Sequence, residues 1–288
     1  MADISAAEVK KLREKTGAGM MECKNALVST EGDFAKAEKL LKEKGLAALE
    51  KRANRATDQG KVFVKIKSDG SSAVLVELNA ETDFVARNPD FISLGNTIVD
   101  LALEKDLSQP TDELNALVQD LATKIRENMG LKRLCQIKAG SNEYLCQYVH
   151  GEGVIGIVVK CESDKPEVFK NKETQDFVFT LAMHIAAFNP AAIDRSKIDS
   201  GWLKEQEEIF QAQMQKDEKM AGKPENVLAG ILKGKVNKYL SEICLMEQGY
   251  VMDEKITVAK AIEDYSKKIE ASFALNEYVY YKVGAQTE

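Results

Sequence analysis

The sequence is poor in histidine, the commonest side chain of acid–base and metal centres. It has two histidines, His150 and His184, and no third ligand type gathers near either, so metal binding is not expected. The five cysteines, Cys23, Cys135, Cys146, Cys161 and Cys244, are odd in number and show no Cys-x-x-Cys spacing. Reduced thiols fit this better than a disulfide framework. No apolar run approaches the roughly 20 residues that cross a bilayer. Met1 to Ser5 has neither the basic nor the apolar region of a secretory signal. A cytoplasmic protein with no membrane partner is expected. A net charge of −6 argues against a strong nucleic-acid footprint, so no direct nucleic-acid partner is expected either.

What is present is an ordinary globular composition: 288 residues, 44% hydrophobic and 30% charged, suggesting about two domains. Residues 4–45 read as three short helices. Ser5 and Glu8 have capping-box spacing, Val9 and Leu12 share a face, and Gly17 ends the first helix. Met20 to Val28 forms the second. Asp33 caps the third, with Phe34, Ala37, Leu40 and Leu41 as its stripe and Gly45 at its end. Residues 46–60, charged and alanine-rich, read as a helical tail and linker. At Lys61 the period changes from 3.6 to 2, and two strands alternate around Asp69-Gly70. Helices are expected around Phe91–Leu101 and from Leu114 to Met129. Strands are expected at 134–138, 144–149 and 154–161, then a helix from Phe177 to Phe188.

Strand-then-helix order occurs at 61–105 and again at 143–188, which suggests two α+β subdomains of similar build with antiparallel sheets. Trp202 and Ile209, and Leu203 and Phe210, recur at intervals of seven, and Val227 to Tyr239 continue the pattern after Gly222-Lys223-Pro224. This predicts an antiparallel helical hairpin projecting from the body. A last strand covers Tyr278 to Val283. The expected division is 1–56, a helical bundle and linker; 57–142, a first core subdomain; 143–200 with 241–288, a second; and 201–240, the inserted hairpin.

Gly17-Ala18-Gly19 fails as a phosphate loop, because it follows a helix and no Lys-Ser/Thr closes it. Met20 and Met21 cannot both face a bundle core, so one is free for an adaptable contact. His184 lies in an apolar helical run and reads as structural. His150 precedes Gly151 at a strand end, an exposed turn position where contact residues are common. Asn79 to Val85 leaves a strand and enters a short helix. Glu81 and Asp83 there could be an acid/base or metal pair. The blander reading is a capping turn, held by Thr82 or Asp83, with Phe84 in the core. A peptide-binding scaffold that uses Met20-Met21, and an enzyme that uses Glu81, Asp83 and His150, remain open at this level.

Thr16-Gly17-Ala18-Gly19-Met20-Met21-Glu22-Cys23-Lys24-Asn25-Ala26-Leu27 and Glu81-Thr82-Asp83-Phe84-Val85-Ala86-Arg87-Asn88 resemble two signatures of the elongation factor Ts family. Tyr148-Val149-His150-Gly151, Met183-His184-Ile185-Ala186-Ala187 and Gly222-Lys223-Pro224-Glu225 follow in the family's order and approximate spacing. The resemblance covers nearly the whole chain. It implies a nucleotide exchange factor for elongation factor Tu, with no covalent chemistry and no cofactor. It implies a ubiquitin-associated-like N-terminal bundle that docks through Met20 and Met21, with His150 in the contact region. It implies that Thr82, Asp83, Phe84 and Val85 form a wedge, Asp83 and Phe84 intruding near the magnesium and phosphates of the partner and releasing GDP. It further implies a coiled-coil hairpin that mediates self-association in some members, so a homodimer is a second partner to consider. Two features depart from the family. Some members have a further helix after the last strand, where this sequence stops at Gly284 to Glu288, and the usual Gln-Pro-Phe is Gln248-Gly249-Tyr250, which suggests a looser turn.

Overall fold

The structure, a computed structural model, describes residues 4–217, 220 and 223–285. The chain divides into two compact units. One comprises the described residues of 1–138, 149–156 and 281–288, and the other 139–148 and 157–280.

The first unit opens with three helices, α1 (Ala6–Thr16), α2 (Met20–Ser29) and α3 (Phe34–Glu50). Ser5 and Glu8 form the expected capping box, and Gly17 takes the left-handed conformation (φ 67°) that closes α1. Val9, Leu12, Cys23, Ala26, Leu27, Ala37 and Leu41 form a shared core. The helix α3 does not stop at Gly45 but continues to Glu50. Gly45 serves a close helix–helix approach instead of a terminus: a Cβ there would lie 2.2 Å from the side chain of Thr123.

After α3 come β1 (Gln59–Ile66), β2 (Ser72–Ala80), α4 (Asp83–Ala86), α5 (Pro89–Glu104), α6 (Asp112–Ile125) and β3 (Met129–Lys138). The sheet order is β1-β2-β3, antiparallel throughout, with Phe63 opposite Val76 and Val76 opposite Leu134. The central strand β2 is buried along its whole length. Val74, Val76, Leu78 and Ala80 join Phe91, Ile98, Leu114 and Val118 of α5 and α6 in one core. Helix α6 ends sooner than its pattern suggests. Arg126 takes a left-handed cap (φ 69°), and Met129 already begins β3.

A second three-stranded sheet has the order β4-β5-β8, from β4 (Glu143–His150), β5 (Ile155–Glu162) and β8 (Ala274–Lys282); the second unit holds residues 143–148, 157–162 and 274–280 of these strands. Its helices are α7 (Lys172–Phe188), α8 (Ser200–Lys216), α9 (Glu225–Ile243) and α10 (Val258–Ile269), and β6 (Gly249–Tyr250) pairs antiparallel with β7 (Asp253–Thr257). Phe177, Tyr265 and Phe273 form an aromatic knot, with the Phe177 and Tyr265 rings stacked at 4.1 Å. Helices α8 and α9 run antiparallel: Trp202, near the start of one, stacks on Tyr239, near the end of the other. Only Met214 of α8 is buried, and Ile209 of the seven-residue pattern is exposed. The glycine expected to end the first arm, Gly222, lies outside the described residues. The turn at Gln248-Gly249-Tyr250 is not loose. Gln248 is buried, its amide donates to the Glu242 carbonyl at 2.7 Å, and Tyr250 bonds Thr180. The molecule is thus a mixed α and β protein with antiparallel sheets. No helix among the described residues is long and apolar enough to cross a membrane.

Candidate functional site

The segment that follows β2 carries the main candidate site. Thr82 is extended (φ −126°, ψ 154°), and its hydroxyl accepts from the Val85 amide at 3.4 Å, so it is the N-cap of α4. Asp83 lies in the first turn and pairs with Arg87 at 3.3 Å. A helix advances by about 100° per residue, so neighbouring side chains face different ways. Val85 and Ala86 take the inward positions and join the core of the first sheet. Phe84 is turned outward and is 81% exposed. The capping turn of the blander reading is therefore present, but the core aromatic it assumed is not.

The turn is held from below. Glu81 accepts from the Asn128 amide at 2.6 Å and pairs with Arg55 at 3.0 Å. The Asn128 hydrogen bond first, and then Arg55, hold the Glu81 carboxyl below its usual range. The Asn128 side chain donates to the carbonyls of Ala53 (3.2 Å) and Arg55 (3.0 Å). The Glu127 carboxylate receives both the amide and the hydroxyl of Thr82, at 3.1 and 2.9 Å. Arg55, Glu127 and Asn128 were invisible to sequence reasoning. Each partner pair is separated by 26 to 47 positions, and no local pattern marks it. Glu81 is thus a structural anchor, not the free half of an acid/base pair.

The other candidates lie elsewhere in the first unit. Met20 and Met21 start α2 and are 43% and 65% exposed, so neither faces the bundle core. Cys23, Ala26 and Leu27 fill that role. Glu22 accepts from the Gly19 amide at 2.8 Å and bonds Arg126, and these interactions, in that order, keep its carboxyl low. His150 is exposed at the end of β4, flanked by half-exposed Val149 and Val154. Its turn is pinned by Lys61, whose ammonium donates to the Glu152 carbonyl at 2.5 Å. Among the described residues no cluster of three or more His, Cys, Asp or Glu could hold a metal. A cavity of about 740 Å³ lies between the first three helices and α5–α6, lined by Lys15, Glu22, Leu49, Asp90, Asp120 and Lys124 among others. None of Thr82, Asp83, Phe84 or Val85 lines it.

His184 is structural. It is fully buried, its Nδ1 accepts from the Val251 amide at 3.2 Å, and its Nε2 lies 3.0 Å from the Gln248 carboxamide oxygen. An accepting Nδ1 leaves the proton on Nε2, which describes a neutral imidazole. Burial pushes its pKa below the ordinary 6.5.

Comparison with known proteins agrees with the sequence signatures. Residues 81–285 match the family model described as Elongation factor TS. An elongation factor Ts of Treponema denticola is 48% identical over 98% of this chain and 99% of its own length. Those of Treponema pallidum and Borreliella burgdorferi are 40% and 38% identical, over 99% of this chain and 100% of their own lengths. With a family match over more than half of its residues and full-length relatives at this identity, the chain belongs to the elongation factor Ts family.

Proposed function

We propose that this chain is a guanine nucleotide exchange factor of translation elongation. It binds elongation factor Tu and expels GDP by disturbing the partner's magnesium and phosphate site, acting in the cytoplasm and making or breaking no covalent bond. The observation that carries the reading is Phe84, 81% exposed on a turn whose two following residues are buried. Leaving a phenylalanine in water forgoes about 1.5–3 kcal/mol of burial, so a partner that covers it gains a ready anchor.

Asp83 stands beside Phe84 with only an exposed pairing to Arg87, which a partner can displace at little cost. The aromatic wedges, and the carboxylate competes for the field of a bound cation. Thr82 and Val85 seat the pair. Met20, Met21 and His150 supply docking contacts. Exchange needs only that binding of the factor and binding of GDP oppose each other, a reciprocal coupling that requires no nucleotide site on this chain.

In this reading the helices of residues 1–56 are a ubiquitin-associated-like docking module. Residues 57–142, and 143–200 with 241–288, are two related core subdomains, and 201–240 is a coiled-coil arm available for self-association. The test is stopped-flow release of labelled GDP from elongation factor Tu at saturating factor. Acceleration by the full chain, and its loss in Phe84→Ala at unchanged fold, are expected. Release no faster than the partner's spontaneous rate would overturn the reading.

A further inference from the structure

We propose that Glu127 is the positioning residue of the exchange turn, and that the loop Arg126-Glu127-Asn128 carries that turn as a preset unit. The inference rests on the reading of Asp83 and Phe84 as the wedge. A four-residue helix is far too short to be stable on its own nucleation. The orientation of Phe84 therefore depends on what holds the ends of α4. At the C-terminal side, Val85 and Ala86 are in the core. At the N-terminal side Glu127 fixes Thr82 twice, through the backbone amide and the hydroxyl.

The two bonds have a further effect. The Thr82 hydroxyl has a single proton, and Glu127 takes it at 2.9 Å. A lone pair of the same oxygen is thereby turned toward the Val85 amide, 3.4 Å away, which is the capping bond of α4. Glu127 thus orients the cap as well as the backbone before it. Both bonds are charge-assisted, the stronger kind.

The neighbours of Glu127 bond in other directions. The Asn128 amide goes to Glu81, the residue preceding Thr82. The Arg126 carbonyl accepts from Arg52 at 2.7 Å, and the Arg126 guanidinium meets Glu22, next to Met21. The left-handed backbone of Arg126 allows three successive residues to diverge in this way. A continuous set of bonds therefore runs from the start of α2, where the proposed docking methionines stand, to the base of the wedge.

The experiment compares Glu127→Ala, Glu127→Gln, Phe84→Ala and the double variant Phe84→Ala/Glu127→Ala in the full chain. The readouts are labelled-GDP release from elongation factor Tu over a range of factor concentrations, and amide hydrogen exchange of residues 82–87 in the free protein. For Glu127→Ala we expect maximal release to fall about tenfold while the half-saturating concentration moves less than about twofold, because the wedge is misdirected and not removed. Glu127→Gln keeps one acceptor oxygen for the two donors and should fall between. The double variant should be no slower than Phe84→Ala, since orienting an absent side chain has no effect. Amides of 82–87 should exchange faster in Glu127→Ala.

Normal maximal release from Glu127→Ala alongside impaired Phe84→Ala overturns the role of Glu127 and leaves the wedge standing. So does unchanged exchange of the 82–87 amides. Normal release from both single variants overturns the wedge reading and this inference with it. A lower melting temperature with an unchanged release curve marks Glu127 as merely structural.

Discussion

Phe84 and Phe91 are two phenylalanines in one short stretch of chain, and their environments are opposite. Phe91, in the first turns of α5, is completely buried and lies 6.2 Å from the Phe63 ring. Phe84 is 81% exposed. Both helices follow a capped start, and both contribute to the same core through other residues. The difference is which face the cap presents. The contrast shows that the α4 turn is stabilised without its largest apolar side chain, so stability alone gives no reason for an aromatic at position 84.

The sharpest way to break the contrast is to truncate each ring. Phe91→Ala should cost about 3–5 kcal/mol of unfolding free energy, the usual loss for a buried aromatic. Phe84→Ala should change stability by no more than about 0.5 kcal/mol, as for an ordinary surface position. Chemical denaturation of both variants decides this. Equal destabilisation would mean that the exposed ring is a core residue in solution.

The burial of His184 predicts a pH effect. His184 is buried and neutral, with its pKa below the 6.5 it would have in an unfolded chain. Below pH 6.5 the unfolded state takes up the proton and the folded state does not, so stability rises with pH there. The contribution is complete above pH 6.5. It is lost as pH falls from there toward the lowered folded value, at up to about 1.4 kcal/mol per unit. Unfolding measured from pH 7 to 5 should show this slope, reduced in His184→Gln.

How much of this was legible in the sequence differs by region, for physical reasons. The helix caps were readable, because a cap is a local bond between residues two or three apart: Ser5 with Glu8, and Asp33 with Lys36. The hairpin at Asp69-Gly70 was readable for the same reason. Helix α10 was overlooked although Val258, Ala261, Ile262 and Tyr265 mark a clear inward face. The signal was present and unread. The helical tail after Gly45 was readable, but Gly45 itself, a packing glycine, looks like a terminating one, and the end of α6 was misjudged because Arg126 caps a helix with no glycine at all. The turn at 81–86 was readable as a cap, but the outward direction of Phe84 was not. That direction is set by which of four consecutive residues meets the core, and by Glu127 and Asn128 from far along the chain.

The smallest effects separate the cap from the residue beside it. Thr82 and Asp83 are both acceptable capping residues in sequence, and only Thr82 bonds the helix amide. Thr82→Ala should cost about 1 kcal/mol, the usual loss for an N-cap. It should also loosen the turn, since its hydroxyl binds Glu127 as well as Val85. Among the described residues the Asp83 carboxylate pairs with Arg87, at 3.3 Å, with both side chains well exposed. An exposed pair at this spacing is worth about 0.3–0.5 kcal/mol, and salt screens it. Some of that is offset in Asp83→Ala because alanine is the better helix former. The net change in stability should therefore be at the limit of a denaturation measurement, and smaller still at high salt. GDP release from elongation factor Tu is where Asp83→Ala should register, as a slower maximal rate from a protein that melts like the wild type. A variant that melted about 1 kcal/mol lower and released GDP at the normal rate would assign Asp83 to the cap, against the bond observed for Thr82.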